Sequence, residues 1–406
     1  MATIAEQRSD REHQVLKRRL KVMHAVFSLD IGGLENGVVN LCNGLDGERF
    51  DVSVCVFRSG GSLETRLDSK HVDLVAVTSF RNNDASLPFR LAWQLRRRGV
   101  DILHTHSWGT LIEGVMAAKL ARTSVLIHGE HGTMETRFHH RQIQRFLWSR
   151  TDQVTAVAGP LADRMANVVR FPREKIKVIP NGVDSFRFRP EREAIELRRK
   201  ELGLPTTGLL IGTVARLVPV KNHRGMLHAL AVLREKGLTP MLALAGDGPL
   251  ESELRNLTRE LSLEGQVRFL GAIRQVERFL NALDVFVLNS LSEGMSNTVL
   301  EAMSCGLPVV ATNVGGNSDL VEDDRTGYLI PQDNVEELAR AIARIANDQR
   351  KREKMGIMAR ARIEQSFGIG KMVQNYSDMY ESLYAHTCHC SSRRDKLACS
   401  YTLDAK

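Results

Sequence analysis

The chain is poor in cysteine, in aromatic residues and in long apolar runs, and each shortage excludes a class of protein. Six cysteines among 406 residues, at 42, 55, 305, 388, 390 and 399, do not form the dense framework of a secreted disulfide scaffold, so a reducing cytoplasm is the expected compartment. Aromatics make up only 5% of the chain, which leaves few platforms for stacking single-stranded bases. No helix-turn-helix, zinc-finger or RNA-recognition signature accompanies the net charge of +8, so no nucleic-acid partner is expected. No apolar run approaches the roughly 18–20 residues of a membrane-spanning helix. Even Ala76–Ala92 is interrupted by Arg81, Asp84 and Arg90. The apolar stretch Val22–Leu29 runs into Asp30 and two glycines without a small-residue cleavage site, and so reads as a strand rather than a signal peptide. No Asp-x-Asp appears that would hold a divalent cation on a diphosphate.

What is present is an alternation. Short Val/Ile/Leu runs are separated by segments of helical period, the pattern of parallel sheets covered by helices on both faces. Strands are expected at Lys21–Phe27, Asp51–Phe57, Val72–Val77, Ile102–Thr105, Val125–His128, Gln153–Val157 and Lys177–Ile179. The pattern then restarts at Leu209–Val214, Met241–Ala245, Gln266–Leu270, Val285–Leu288, Val309–Ala311 and Gly327–Ile330. The fold class predicted is therefore α/β, with two Rossmann-like, doubly wound domains facing each other across a cleft lined by the carboxyl ends of their strands.

The expected division is a basic, polar N-terminal extension at 1–20, an N-terminal domain at 21–185 and a C-terminal domain at 186–370. A closing helix at 371–386 is expected to pack back on the first domain, and 387–406 to form a poorly ordered tail. Cys388, His389 and Cys390 in that tail lie too close together for structural zinc spacing, and free thiols are expected.

The densest signal is the run Asn289–Val310, which sets Glu293 and Glu301 eight positions apart around a strand-to-helix turn. Glu301 by itself also fits a capping box, Thr298-Val-Leu-Glu301, in which it merely returns to the helix entrance. Glu293, between Ser292 and Gly294 at the end of a buried strand, has no periodic role.

Taken with its surroundings, this text resembles the retaining GT-B glycosyltransferases of family 4, over roughly residues 20–385. The resemblance is carried by Gly32-Gly33, Val178–Asp184, Arg216 with Lys221, Gly246-Asp-Gly-Pro249, Phe269-Leu-Gly271, the pair Glu293 and Glu301, and Gly315-Gly316. The version Gly32–Gly37, with His128-Gly-Glu-His-Gly132, is similar to a bacterial subgroup associated with exopolysaccharide and exosortase (PEP-CTERM) gene clusters.

The resemblance implies a metal-independent hexosyltransferase using a UDP- or GDP-sugar, with no cofactor. Expulsion of a nucleoside diphosphate calls for fixed positive charge, which Arg216 and Lys221 would supply. Glu293 would contact hydroxyls of the transferred sugar, and Glu301 the donor ribose. Asn297, Thr298, Gly32 and Gly33 would offer backbone N–H groups at helix starts, and Gly315 and Gly316 would let the backbone approach the nucleotide. His131 would touch the reacting sugar, with Glu130 as a further ligand for the acceptor. No second carboxylate stands out as a nucleophile, so the resemblance implies front-face attack.

A glycan or lipid-linked acceptor is implied. The basic, aromatic-bearing segments Arg90–Arg98 and Arg137–Arg150 are suited to an anionic membrane surface on the cytoplasmic side. Two competing readings are a non-hydrolysing nucleotide-sugar epimerase and a non-catalytic nucleotide-sugar binding protein. The first would epimerise donor without an acceptor, and the second would bind without turnover.

Overall fold

A computed structural model describes residues 18–79, 84–132, 137–191 and 195–400, with side chains as far as 387. The first 17 residues of the basic extension, Arg81, residues 401–406 and the thiols of Cys388, Cys390 and Cys399 lie outside the described residues.

The chain forms two compact units. Unit 1 contains a seven-stranded parallel sheet of order β3-β2-β1-β4-β5-β6-β7. Its strands are β1 (Leu20–Val26), β2 (Phe50–Val56), β3 (Val72–Ala76), β4 (Ile102–His106), β5 (Val125–Glu130), β6 (Gln153–Ala156) and β7 (Ile176–Val178). Unit 2 repeats the winding with six strands, β10-β9-β8-β11-β12-β13. These are β8 (Leu210–Val214), β9 (Met241–Ala245), β10 (Val267–Gly271), β11 (Val285–Leu288), β12 (Val309–Thr312) and β13 (Gly327–Ile330). Both orders reverse at a central strand pair, β1/β4 and β8/β11, and the crevice at such a reversal is where doubly wound sheets bind ligands. All expected strands form, with ends shifted by a residue or two. β4 and β11 are buried at every position, as strands covered on both faces must be.

Local chemistry sets the helix ends. The helix Leu87–Arg98 has Pro88 in its first turn, three arginines in its last, and a left-handed Gly99 (φ 64°) that stops it. The helix Val335–Ala346 starts at Asn334, whose side chain accepts from the Glu337 N–H at 2.9 Å. It buries Leu338, Ile342 and Ile345 in the core of unit 2, with Leu227, Leu230 and Leu244.

The border between units differs from the sequence expectation. Unit 2 takes Ala158–Leu161 and begins again at Pro180, ahead of residue 186. Hydrogen bonding explains this. Asn181 donates through Nδ2 to Asn297 Oδ1 at 2.9 Å, and Val183 exchanges backbone bonds with Phe367 and Ile369. The turn at 180–184 is thus stitched into the second unit. The last helix, Ile369–Ser400, belongs to unit 1 from Met372 onward, where Tyr376, Met379 and Tyr380 are buried. Its backbone continues beyond residue 386, where composition placed its end. No glycine or proline interrupts residues 387–400, so nothing in the chain forces a stop there.

Candidate active site

The expected catalytic residues of unit 2 come from the two strands that flank its winding reversal. After β8 the chain passes through Arg216 into a single 3-10 turn, Pro219–Lys221. Asn222 follows at φ 46° and caps the helix His223–Glu235 by accepting from the Gly225 N–H at 3.2 Å. After β11 the chain passes through Asn289 to Glu293. Two hydrogen bonds tie the loops: the Leu291 backbone N–H donates to Val220 O at 2.7 Å, and the Asn289 side chain donates through Nδ2 to Asn222 O at 3.1 Å. That tie brings Lys221 Nζ to 2.5 Å from Glu293 Oε1. Burial is deep but incomplete, with 10% of the Glu293 side chain and 21% of the Lys221 side chain exposed, so a ligand can still reach both. Arg216 is exposed and has no ion-pair partner among the described residues.

Glycines hold these loops in place. Gly315 has φ 53°, and a Cβ there would overlap the Glu293 carbonyl oxygen. Gly316 N–H donates to Gly294 O at 2.5 Å. The pair expected beside the nucleotide therefore has a demonstrable task as backing for the Glu293 loop. Gly246 and Gly248 serve similarly for the Arg216 loop, because a Cβ on either would strike the backbone of Ala215 or Leu217. Leu217 N–H donates to Asp247 O at 2.7 Å.

One expected detail is corrected. The helix Asn297–Ser304 is capped by Ser296, which accepts from Val299 N–H at 3.3 Å, and not by Thr298. Glu301 consequently lies in the second turn, too far along to close a capping box, and its alternative explanation falls away. Asn297 and Thr298 open the helix as expected, although Asn297 Oδ1 is already used by Asn181.

In unit 1, Gly32 caps the helix Gly33–Gly44 in an extended conformation (φ −160°) and needs no glycine for its backbone angles. A Cβ on Gly32 would meet the Glu35 carboxylate, which curls back over this helix start. An acidic side chain thus already sits where an anion was expected. His131 follows β5, with Nε2 at 3.0 Å from His106 Nδ1, and burial pushes it down from 6.5 to about 4. Glu130 is fully buried between His128 Nε2 (3.1 Å) and Gln144 Nε2 (2.8 Å), so it does not face an acceptor as expected. Sequence reasoning missed His106 and Asn289. The spacing His104-Thr-His106 on a strand was the available signal, since alternate residues share a face.

Comparison with known proteins decides the family. The model for Glycosyltransferase Family 4 matches residues 31–187, and that for Glycosyl transferases group 1 matches 194–362. A D-inositol 3-phosphate glycosyltransferase of Actinosynnema mirum is 31% identical over 75% of this chain and 71% of its own. The chain belongs to glycosyltransferase family 4. This family-4 transferase is also 29% identical, over 89% of its length and 97% of the relative's, to an Escherichia coli enzyme. That enzyme is named UDP-Gal:alpha-D-GlcNAc-diphosphoundecaprenol alpha-1,3-galactosyltransferase. Among solved structures, Anabaena HepE in complex with UDP and glucose superposes with a TM-score of 0.80 at 23% identity, covering 90% of this chain and 100% of that one. The α/β architecture is of GT-B type.

Proposed function

We propose that this transferase moves a hexosyl group from a UDP- or GDP-sugar to a glycan or lipid-linked glycan in bacterial cell-surface or exopolysaccharide synthesis. Anomeric configuration is retained and no metal ion takes part. The observation that carries the reading is the Lys221–Glu293 pair at the winding reversal of unit 2, with the exposed guanidinium of Arg216 on the adjoining loop. A diphosphate leaving group develops negative charge as the glycosidic C–O bond breaks. A guanidinium fork and an ammonium are preorganised to stabilise it. They supply charge that a divalent cation provides elsewhere.

Glu293 holds Lys221 in position before donor arrives and accepts hydrogen bonds from sugar hydroxyls once it has bound. The acceptor hydroxyl attacks the anomeric carbon from the face the diphosphate leaves, passing its proton to the departing phosphate oxygen. UDP in the superposing HepE structure and the diphosphoundecaprenol acceptor named for the E. coli relative support the two substrate classes.

No helix among the described residues is long and apolar enough to cross a membrane. A lipid-linked acceptor is reached instead from a basic, aromatic surface of unit 1. The helix Phe138–Trp148 exposes Phe138, Ile143 and Phe146, with Arg150 over the Phe146 ring at 4.8 Å. The helix Leu87–Arg98 exposes Phe89 and Trp93, with Arg97 over Trp93 at 5.0 Å. Both contact the intervening helix Trp108–Ala121.

The test is a panel of UDP-, GDP- and ADP-sugars, with and without chelator, offered with a polyprenyl-diphosphate-linked sugar. Nucleoside diphosphate release is followed, and the product anomer is read by NMR. Release from one donor, unchanged by chelator and giving the retained anomer, is expected. An inverted product, or activity abolished by chelator and restored by metal, would overturn the mechanism. Binding without release under every condition would overturn the substrate assignment.

A further inference from the structure

Beneath His131, unit 1 holds three more imidazoles that the transfer scheme leaves without a task. His24 on β1 and His104 on β4 are register partners, and His106 lies two residues further along the same face. All three are essentially buried. His24 Nδ1 stands 3.1 Å from His106 Nε2, and His106 Nδ1 stands 3.0 Å from His131 Nε2. The His24 and His106 ring planes differ by 11° at a centroid separation of 5.4 Å, so the rings meet edge to edge through the nitrogens. His104 is held aside by the Tyr380 hydroxyl, 2.9 Å from its Nδ1. Gly129 makes room for this arrangement: a Cβ there would crowd His104 Nε2 at 3.1 Å and His131 Nε2 at 3.3 Å.

The chain His24–His106–His131 has a consequence for protons. Burial pushes His24 down to about 3, His131 to about 4 and His106 well below 6.5, so each ring carries one proton at neutral pH. Each N···N contact then holds one proton, and only two assignments run in line. At the ends, His24 Nε2 and His131 Nδ1 have no partner among the described residues. In one assignment His131 Nδ1 is a lone pair and His24 Nε2 a buried N–H without an acceptor. In the other, His24 Nε2 is a bare acceptor and His131 Nδ1 carries the proton. Each assignment leaves one buried donor and one buried acceptor unpaired. The second puts the donor on His131, which is only partly buried, and not on His24, which is fully buried, so only the second offers that donor to an incoming ligand.

We infer that His24 and His106 form an imidazole relay that fixes the tautomer of His131, presenting a neutral Nδ1–H to an oxygen of the sugar or phosphate. His24 and His106 are thereby positioning residues, and the inference rests on the reading above that His131 faces the reacting sugar. A metal centre is the rival use of these rings, since ligand atoms of His24, His104 and His106 lie within 4.8 Å of one another. Both nitrogens of His106 are committed to the relay, however, and it cannot ligate without breaking the chain.

The test uses the full chain labelled with ¹⁵N-histidine. Long-range ¹H–¹⁵N spectra separate Nδ1–H from Nε2–H tautomers, and loss of a signal in His131→Ala assigns it. The expected wild-type state of His131 is Nδ1–H. In His106→Phe the tautomer becomes mixed and kcat falls about tenfold or more with KM within about twofold. His106→Asn, whose amide can donate to His131 Nε2, restores the tautomer and most of kcat. An Nε2–H His131 in the wild-type protein, a tautomer unmoved in His106→Phe, or one equivalent of bound metal lost in His24→Ala would each overturn the relay. Wild-type kcat in His131→Ala would instead overturn the catalytic reading of His131, leaving the tautomer result to be judged by itself.

Discussion

Lys221 Nζ lies 2.5 Å from Glu293 Oε1, although 72 residues separate them, because β8 and β11 are neighbours at the point where the winding of unit 2 reverses. Each group compensates the other while no diphosphate or sugar is bound. Lys221→Ala and Glu293→Ala should therefore each lower kcat by about a hundredfold or more, the scale of losing one preorganised electrostatic contact. Both side chains keep partial access to water, so the thermal midpoint should move by only a few degrees. Steady-state kinetics beside thermal melts check this, and near-normal kcat in both variants would remove the pair from the mechanism.

Gly315 offers a test of the loop rather than of the charge. Its φ of 53° and its closeness to the Glu293 carbonyl mean that Gly315→Ala must shift one of the two loops. The expected result is a stability loss of about 1–2 kcal/mol, with a kcat deficit larger than that loss explains, because Glu293 is displaced. Urea titration alongside kinetics separates the two effects. A variant with wild-type kcat would show that the loop position does not govern transfer.

The strands were legible because buried parallel strands are written as unbroken apolar runs, as in Val285–Leu288. Other features depend on information no local window contains. The helix Gln349–Ser366 buries only Met355, Gly356, Ala359 and Ile363 amid charged residues, too thin a stripe to announce itself. Thr298 looks like a cap because Glu301 stands three residues on, yet Ser296 is the residue whose backbone is extended (ψ 112°). Lys221 and Glu293 could be named from family resemblance, but their contact follows from strand order. The imidazole relay requires the β1/β4 register that sets His24 beside His104, and nothing within either strand alone predicts it.

Those histidines also dictate how stability depends on pH. His24 is pushed to about 3, His131 and His223 to about 4, and His104 and His106 well below 6.5, all chiefly by burial. Between those values and 6.5 the unfolded chain binds more protons than the folded one, so stability rises with pH across that window. The full contribution is present above about pH 6.5 and is lost as pH falls. At pH 5.5 His24, His131 and His223 have each forfeited about 1.4 kcal/mol, and His104 and His106 shift stability in the same direction. Urea midpoints at pH 7.5 and 5.5 should show a marked drop, smaller in His24→Gln. Equal midpoints at the two pH values would mean the rings are not held neutral.

The exposed aromatics of unit 1 make the last prediction. Phe138 is 68% exposed and Phe146 57% exposed on one short helix, and arginines stack over both rings. Water gives such side chains no reason to be there, whereas an anionic bilayer rewards both the rings and the guanidinium groups. Vesicles containing about 30% anionic lipid should sediment the full chain at low salt and release it as salt rises. Phe138→Ser with Phe146→Ser should weaken binding about tenfold or more, by removing two inserted rings. Turnover of a short, water-soluble acceptor should be unchanged in the double variant, since neither ring belongs to the transfer site. Turnover of a long-chain lipid-linked acceptor in vesicles should fall in step with binding. Equal binding to neutral and anionic vesicles, or none to either, would deny this helix a membrane role.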